Sequence, residues 1–227
     1  MKQTLKSVLL GAGTLVVGGV MVASGTGRAS AQTTPATGSP QPTTTTGGGE
    51  HQKPLSIYWM RYQFDVLLRE HASLTVQALK AEHLNQPDAP AIMKAVDKNN
   101  RALAKTVDRA YPGTHDEFLA LWQAHIGYYH DYLKAAEDHS EDGKQIAKKN
   151  LAECADKLSN LLSKKSDRLD EDALRHHLGT HGNQVMTIAD HLVAGNYEAV
   201  HAIGRQAYRH MGNIAHVLAH GMPKPRW

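Results

Sequence analysis

Histidine residues at helical spacing are the part of this sequence that could do chemistry. His177 and His181 lie at positions i and i+4 of a predicted helix and can present two imidazole rings to one ion. Neutral imidazole is a good ligand for zinc, copper and nickel. His210, on the following predicted helix, faces His177 when the two helices fold into a hairpin. The pattern therefore predicts a transition-metal site centred on His177, His181 and His210.

Two further histidines occupy equivalent positions earlier in the chain. His71 and His125, like His177, each follow a pair of apolar residues, and another apolar residue comes eight positions later. Residues at these spacings share one face of a helix, so the rings belong to the buried side. We therefore expect His71 or His125 to complete the metal site.

Asparagine residues allow a different interpretation of the same histidines. Positions equidistant from a hairpin turn lie at one height on antiparallel helices, which predicts that His71 faces Asn99. The same argument predicts that His125 faces Asn150. A buried histidine can donate to an asparagine oxygen, and such a pair can fix the register of a hairpin. On this interpretation the protein is a non-catalytic scaffold for a protein or cell-wall partner, with the histidines as polar pairs in its core.

The elements that must position these residues are helices. From Leu55 onward, apolar residues recur every three or four positions, without the alternation that is typical of β-strands. Thr114, with Glu117 three residues later, has the spacing of a capping box at the start of one helix. Turn-forming residues divide the chain into helices near 56–84, 89–111, 115–139, 143–164, 169–194 and 196–220. The fold is therefore predicted to be all-α.

The helices show an internal repeat. Histidines open the first helix of each hairpin, and the second helices share the pattern polar-x-x-x-apolar-Ala-x-x-apolar, which begins at Asn99, Asn150 and His210. A period of about 50–60 residues indicates repeated supersecondary units. The sequence thus predicts a helical bundle of about six helices, built from three αα-hairpin repeats.

Two short motifs resemble an uncharacterised family of helical-hairpin repeat proteins, mostly from Gram-positive bacteria. They are the stretch Leu-Trp-Gln-Ala-His that ends at His125 and the pattern from Asn150 to Leu158. The resemblance covers residues 66–221 and implies the hairpin fold, but no reaction. This chain has many more histidines in its last hairpin than the family pattern. The resemblance also implies that four histidines form a set: His71, His125, His177 and His210.

Common catalytic motifs are missing from the sequence. It has no His-Glu-x-x-His, and the single Glu-x-x-His, at Glu198, is fewer than the two of a ferritin-like di-iron site. It also has no Cys-x-x-Cys-His for a c-type haem, although a b-type haem between two facing histidines is a further alternative. The lone Cys154 is expected to be a small buried side chain. The sequence therefore indicates no reaction.

The N-terminal segment has the features of an export signal. Lys2 and Lys6 precede an apolar run over residues 8–23, and Ala29-Ser30-Ala31 has the small-x-small pattern of a cleavage site. Residues 1–31 are therefore predicted to be a signal peptide, which predicts a secreted or extracytoplasmic protein. An uncleaved leader would instead anchor the chain in a membrane.

The rest of the chain divides into three predicted parts. Residues 32–53 are rich in Thr, Pro and Gly and predict a disordered spacer. Residues 54–221 form the bundle domain and residues 222–227 a C-terminal tail. All 22 acidic residues, but only 22 of the 25 basic ones, follow residue 31, so this part has no formal net charge. No basic patch indicates a nucleic-acid partner.

Overall fold

The computed structural model describes residues 56–224, where all the regular secondary structure is α-helical. The helices are α1 Ile57–His83, α2 Ala89–Ala110, α3 His115–Glu137, α4 Glu141–Ser163, α5 Glu171–Val193 and α6 Tyr197–His220. The all-α prediction is confirmed, and each helix end lies within two residues of its predicted place. The predicted signal peptide (1–31) and spacer (32–53) lie outside the described residues, and only 222–224 of the predicted tail are described. No described helix is both long enough and apolar enough to cross a membrane.

The helices pack as a closed ring in chain order. Each helix contacts the next one, and α6 returns to pack along α1. These two helices are antiparallel, because Arg61 near the start of α1 donates to His216 near the end of α6, at 3.3 Å. Helices α1, α3 and α5 also contact one another, so they occupy the centre of the ring. The centre is therefore built by the helices that carry His71, His125 and His181.

The apolar core forms two clusters, one toward each end of the bundle. One cluster includes Phe64 and Leu162, and the other includes Leu79 and Ile188. Burial of each such side chain stabilises the fold by about 1.5–3 kcal/mol. Along α1 and α3, a buried histidine follows residues of the first cluster and precedes residues of the second. The histidines therefore lie at mid-height, between the two apolar clusters.

The start of α3 differs from the predicted capping box. Thr114 occupies the N-cap position, but its hydroxyl donates to the carbonyl oxygen of Tyr111 at 2.8 Å. The carboxylate of Asp108 instead accepts hydrogen bonds from the backbone N–H groups of Gly113, Thr114 and His115. A side chain from the last turn of α2 therefore satisfies the first amides of α3, and this contact fixes the turn between the two helices.

Candidate functional site

Three histidine side chains meet where α1, α3 and α5 contact one another. The Nε2 atoms of His71 and His125 lie 3.2 Å apart, and their ring centroids are 5.1 Å apart. The ring centroid of His181 lies 5.9 Å from that of His71. The three residues are 1%, 5% and 2% exposed in the order His71, His125 and His181. They are referred to below as the central histidines.

Most ring nitrogens of the central histidines have no hydrogen-bond partner in the described part of the chain. The unpartnered atoms are Nδ1 of His71, Nδ1 of His125 and both nitrogens of His181. Buried polar groups of folded proteins are nearly always hydrogen-bonded, and leaving one unpartnered costs about 1–3 kcal/mol. The chain therefore keeps four unpartnered nitrogen atoms at its centre. The two on His181 can accept a ligand without breaking a hydrogen bond, whereas the Nε2 atoms of His71 and His125 would exchange their mutual contact for the ligand.

Burial keeps the central histidines neutral. Loss of hydration lowers the pKa of both His125 and His181 to about 3 and is also the main reason why the pKa of His71 lies well below its ordinary value. The Asn100 amide near His71 and backbone carbonyls near His125 oppose this shift without forming hydrogen bonds of normal geometry. At neutral pH all three rings are therefore in the neutral form, which is the form that binds metal ions.

An apolar pocket between α3, α4 and α5 reaches the central histidines. It has a volume of about 180 Å³, and His125, His181 and Tyr129 contribute to its wall. Lys148 and Asn183 also line it and are exposed, so they lie at its mouth. Sites for larger ligands usually have volumes of about 300–1,000 Å³. The pocket therefore fits a small molecule, and its volume does not favour a b-type haem, which the sequence indicates only as an alternative.

Cys154 lines the same pocket. Its side chain is buried, as expected, and its thiol donates to the carbonyl oxygen of Leu121 at 3.3 Å. Burial raises the pKa of the Cys154 thiol to about 11. The thiol therefore stays protonated at neutral pH, in a form that binds metal ions poorly.

The other two predicted ligands form a neighbouring pair. The ring centroids of His177 and His210 lie 5.2 Å apart, and Nε2 of His210 donates to the carbonyl oxygen of His177 at 3.0 Å. The prediction that these residues face each other is confirmed. Both are only partly buried. The five predicted ligands therefore divide into the central histidines and this pair, and His181, not His177, joins His71 and His125.

The two predicted histidine–asparagine pairs are wrong. The Asn99 amide donates to the Glu70 carboxylate at 2.8 Å and to a backbone carbonyl of α1, while His71 contacts His125. Asn150 is only partly buried, and neither ring nitrogen of His125 bonds to it, because Nε2 contacts His71 and Nδ1 has no partner among the described residues. Two residues can lie at the same height on neighbouring helices while their side chains point in different directions. Because α1 and α3 lie at the centre of the ring, their histidines meet each other, and the α2 side chain near His71 is that of Asn100, not Asn99.

The geometry of the central histidines matches a metal site only in part. In a tetrahedral site with zinc–nitrogen distances of about 2.0–2.1 Å, two ligand nitrogens lie about 3.3 Å apart. The separation of the His71 and His125 Nε2 atoms, 3.2 Å, is close to this value. The ring of His181 lies farther away, and in residues 56–224 no three His, Cys, Asp or Glu side chains are already placed to hold an ion.

Comparisons of the chain with family models, curated proteins and solved structures find no match. The resemblance to a family of helical-hairpin repeat proteins therefore stays a prediction. The fold and the site together define an all-α bundle with a buried histidine cluster beside a small apolar pocket.

Proposed function

We propose that this protein binds a transition metal ion, which is zinc, copper or nickel, through His71, His125 and His181. The observation that carries the proposal is the distance of 3.2 Å between the Nε2 atoms of His71 and His125. Two neutral imidazoles that already stand at the separation of two ligands on one ion need little rearrangement to bind it.

His181 is the third ligand in this proposal. Both of its nitrogens are buried without a partner, so coordination would offset an existing cost. Imidazoles on one tetrahedral ion have ring centroids about 5 Å apart, as estimated from the usual zinc–nitrogen distance. The centroid of the His181 ring now lies 5.9 Å from that of His71, so the His181 ring has to approach the His71 ring by about 1 Å. The fourth position would face the pocket that His125 and His181 line, where a water or small molecule can bind.

A second ligand set is centred on His177, His181 and His210. His210 lies close enough to His181 to lower the pKa of that residue. An ion bound between the central histidines and the pair of His177 and His210 could therefore be held by either set of ligands. The two sets share His181 but differ in His125 and His210, and variants of these two residues therefore distinguish them. The proposed export signal would place the binding of the metal outside the cytoplasm.

The test is elemental analysis of the full-length chain, purified without a histidine tag, followed by titration with Zn²⁺, Cu²⁺ and Ni²⁺. We expect about one equivalent of one metal, as for a single three-ligand site. His125→Gln and His181→Gln should abolish binding, whereas His176→Gln, an exposed residue of the same helix α5, should retain it. Loss of binding in His210→Asn with retention in His125→Gln would assign the ion to the second set. A folded protein that takes up no stoichiometric metal would contradict the proposal.

A second candidate function is a non-catalytic scaffold for a protein or cell-wall partner. It is favoured by the observation that no three potential ligands in residues 56–224 are already placed to hold an ion. In this case the central histidines are a polar layer of the core. The melting temperature would then be the same with and without each metal. The His125→Gln variant would be less stable than the unmodified protein but would bind the partner equally well.

A further inference from the structure

A groove lies on the surface between α1 and α6 and shares no lining residue with the pocket beside the central histidines. Its volume is about 560 Å³, which falls within the range of about 300–1,000 Å³ that is usual for small-molecule sites. Val76, Val200 and Gly204 provide an apolar surface within it. Because Gly204 has no side chain, the two helices leave space above Val76 that a longer residue would fill.

Cationic side chains border this apolar surface. Lys80 comes from α1, and Arg205 and Arg209 are one turn apart on α6. None of the three forms an ion pair with another residue in 56–224, and no acidic residue lines the groove. By contrast, Arg69 in the adjacent part of α1 is paired with Asp65 at 2.8 Å. The groove therefore has positive charge that the described chain leaves uncompensated.

We propose that this groove binds a single-chain amphiphilic anion, with a carboxylate or phosphate head and an apolar body. Arg205 and Arg209 bind the head, because guanidinium groups form paired, charge-assisted hydrogen bonds with such anions. Lys80, on the opposite wall, adds to the positive charge around the groove but lies beyond Val76 and Gly204 from Arg209. The apolar body lies over Val76 and Gly204.

The charge distribution favours a small anion over a polyanion. The part of the chain after residue 31 has equal numbers of acidic and basic residues, whereas nucleic-acid-binding surfaces carry broad positive patches. The groove is lined by three cations together with the apolar surface of Val76, Val200 and Gly204. An anion that also has an apolar body is the ligand class that uses both features.

The test uses the full-length chain and dodecyl phosphate below its micelle concentration, with binding measured by calorimetry. The double variant Arg205→Gln/Arg209→Gln should weaken binding by about tenfold or more, as expected for the loss of charge-assisted hydrogen bonds. Arg101→Gln, which alters an exposed arginine of α2, should bind as the unmodified protein does. Equal affinity for dodecanol, or for inorganic phosphate alone, would overturn the proposal.

A second pair of variants tests where the apolar body lies. A Cβ at residue 204 would meet the methyl groups of Val76 at 3.9 Å, an ordinary contact, so Gly204→Ala should retain binding. Gly204→Leu should abolish it, since the longer side chain extends into the groove. Unchanged binding in a folded Gly204→Leu protein would overturn the assignment. If the protein co-sediments with vesicles of phosphatidylcholine and phosphatidate, and the double arginine variant does not, the groove binds a lipid surface and the proposal of a free ligand is wrong.

Discussion

Nε2 of His71 and Nε2 of His125 lie 3.2 Å apart, although the two residues are 54 positions apart in the sequence. If the atoms share a hydrogen bond, one ring must carry its proton on Nε2 and the other on Nδ1. The ring that is protonated on Nδ1 then has a buried donor without an acceptor. If both Nε2 atoms bind an ion, both rings take the same tautomer. The contact is therefore compatible with an ion-free and an ion-bound state, and conversion of one into the other moves one proton from Nε2 to Nδ1 of one ring.

Replacement of His181 by leucine should make the metal-free protein more stable while it abolishes metal binding. Leucine removes two unpartnered buried nitrogens, so we expect metal-free His181→Leu to be more stable by about 1–2 kcal/mol. Urea unfolding in the presence of a chelator measures this change, and metal titration should show that binding is lost. His176→Leu, at an exposed position of α5, is the control and should change stability little. A destabilised His181→Leu protein would indicate that the His181 ring has a structural partner.

The stability of the metal-free protein should decrease in mild acid. Burial lowers the pKa of His71, His125 and His181, so the unfolded chain binds protons near pH 6.5 while the folded protein does not. The contribution of these neutral rings to the free energy of unfolding is therefore fully present above pH 6.5. It is lost as the pH falls toward the folded pKa values, which are about 3 for His125 and His181.

The expected loss from about pH 7.5 to about pH 5 is roughly 2 kcal/mol for each central histidine that stays neutral in the folded state. Urea unfolding at a series of pH values measures it. The double variant His125→Gln/His181→Gln should show a smaller dependence on pH. A stability that is constant over this interval would contradict the burial of neutral rings.

Tyr111 connects the turn after α2 to the end of α6. Its side chain is fully buried, and its hydroxyl donates to the carbonyl oxygen of Leu218 at 2.6 Å. Tyr111→Phe keeps the ring but leaves that carbonyl without its donor, so we expect a loss of about 1–2 kcal/mol in unfolding free energy. Tyr62→Phe, at an exposed position, should have almost no effect. Equal stability of both variants would show that the hydroxyl contact contributes nothing net.

Replacement by alanine should change the stability of the protein in opposite directions at two glycines, Gly221 and Gly127. A Cβ at Gly221 would lie 2.4 Å from Cδ1 and 2.9 Å from Cα of Leu169, so Gly221→Ala should be destabilising because backbone must move. A Cβ at Gly127, on the exposed face of α3, would meet nothing within 4 Å. Gly127→Ala should therefore stabilise the protein by up to about 1 kcal/mol through helix propensity. Thermal melting of the two variants tests both signs.

The helices could be predicted because most turns carry a local signal. Asn85, Gly113 and Gly195 have φ values of 50°, 80° and 69°, and all three lie in turns expected from residue type. His139 also has a positive φ, 52°, but histidine gives no such signal. As a result, the predicted α3 ends two residues too late and the predicted α4 begins two residues too late.

The site could be predicted only in part. Apolar periodicity placed His71 and His125 on the buried side, and both are buried. Periodicity cannot decide which of two histidines on α5 meets them, since that depends on how α5 contacts both α1 and α3. The pocket beside Cys154 and the groove at Gly204 each form between different helices, so no single segment contains their signal.

Because α6 packs against α1, the ring of helices is closed. The chain ends could lie between other neighbouring helices without changing which helices are in contact. The start of α1 and the end of α6 lie at the same end of the bundle, as the contact between Arg61 and His216 shows. A circularly permuted chain could therefore begin at Ser140, the N-cap of α4, continue from Lys224 through a linker to Ser56, and keep every helix next to its present neighbours.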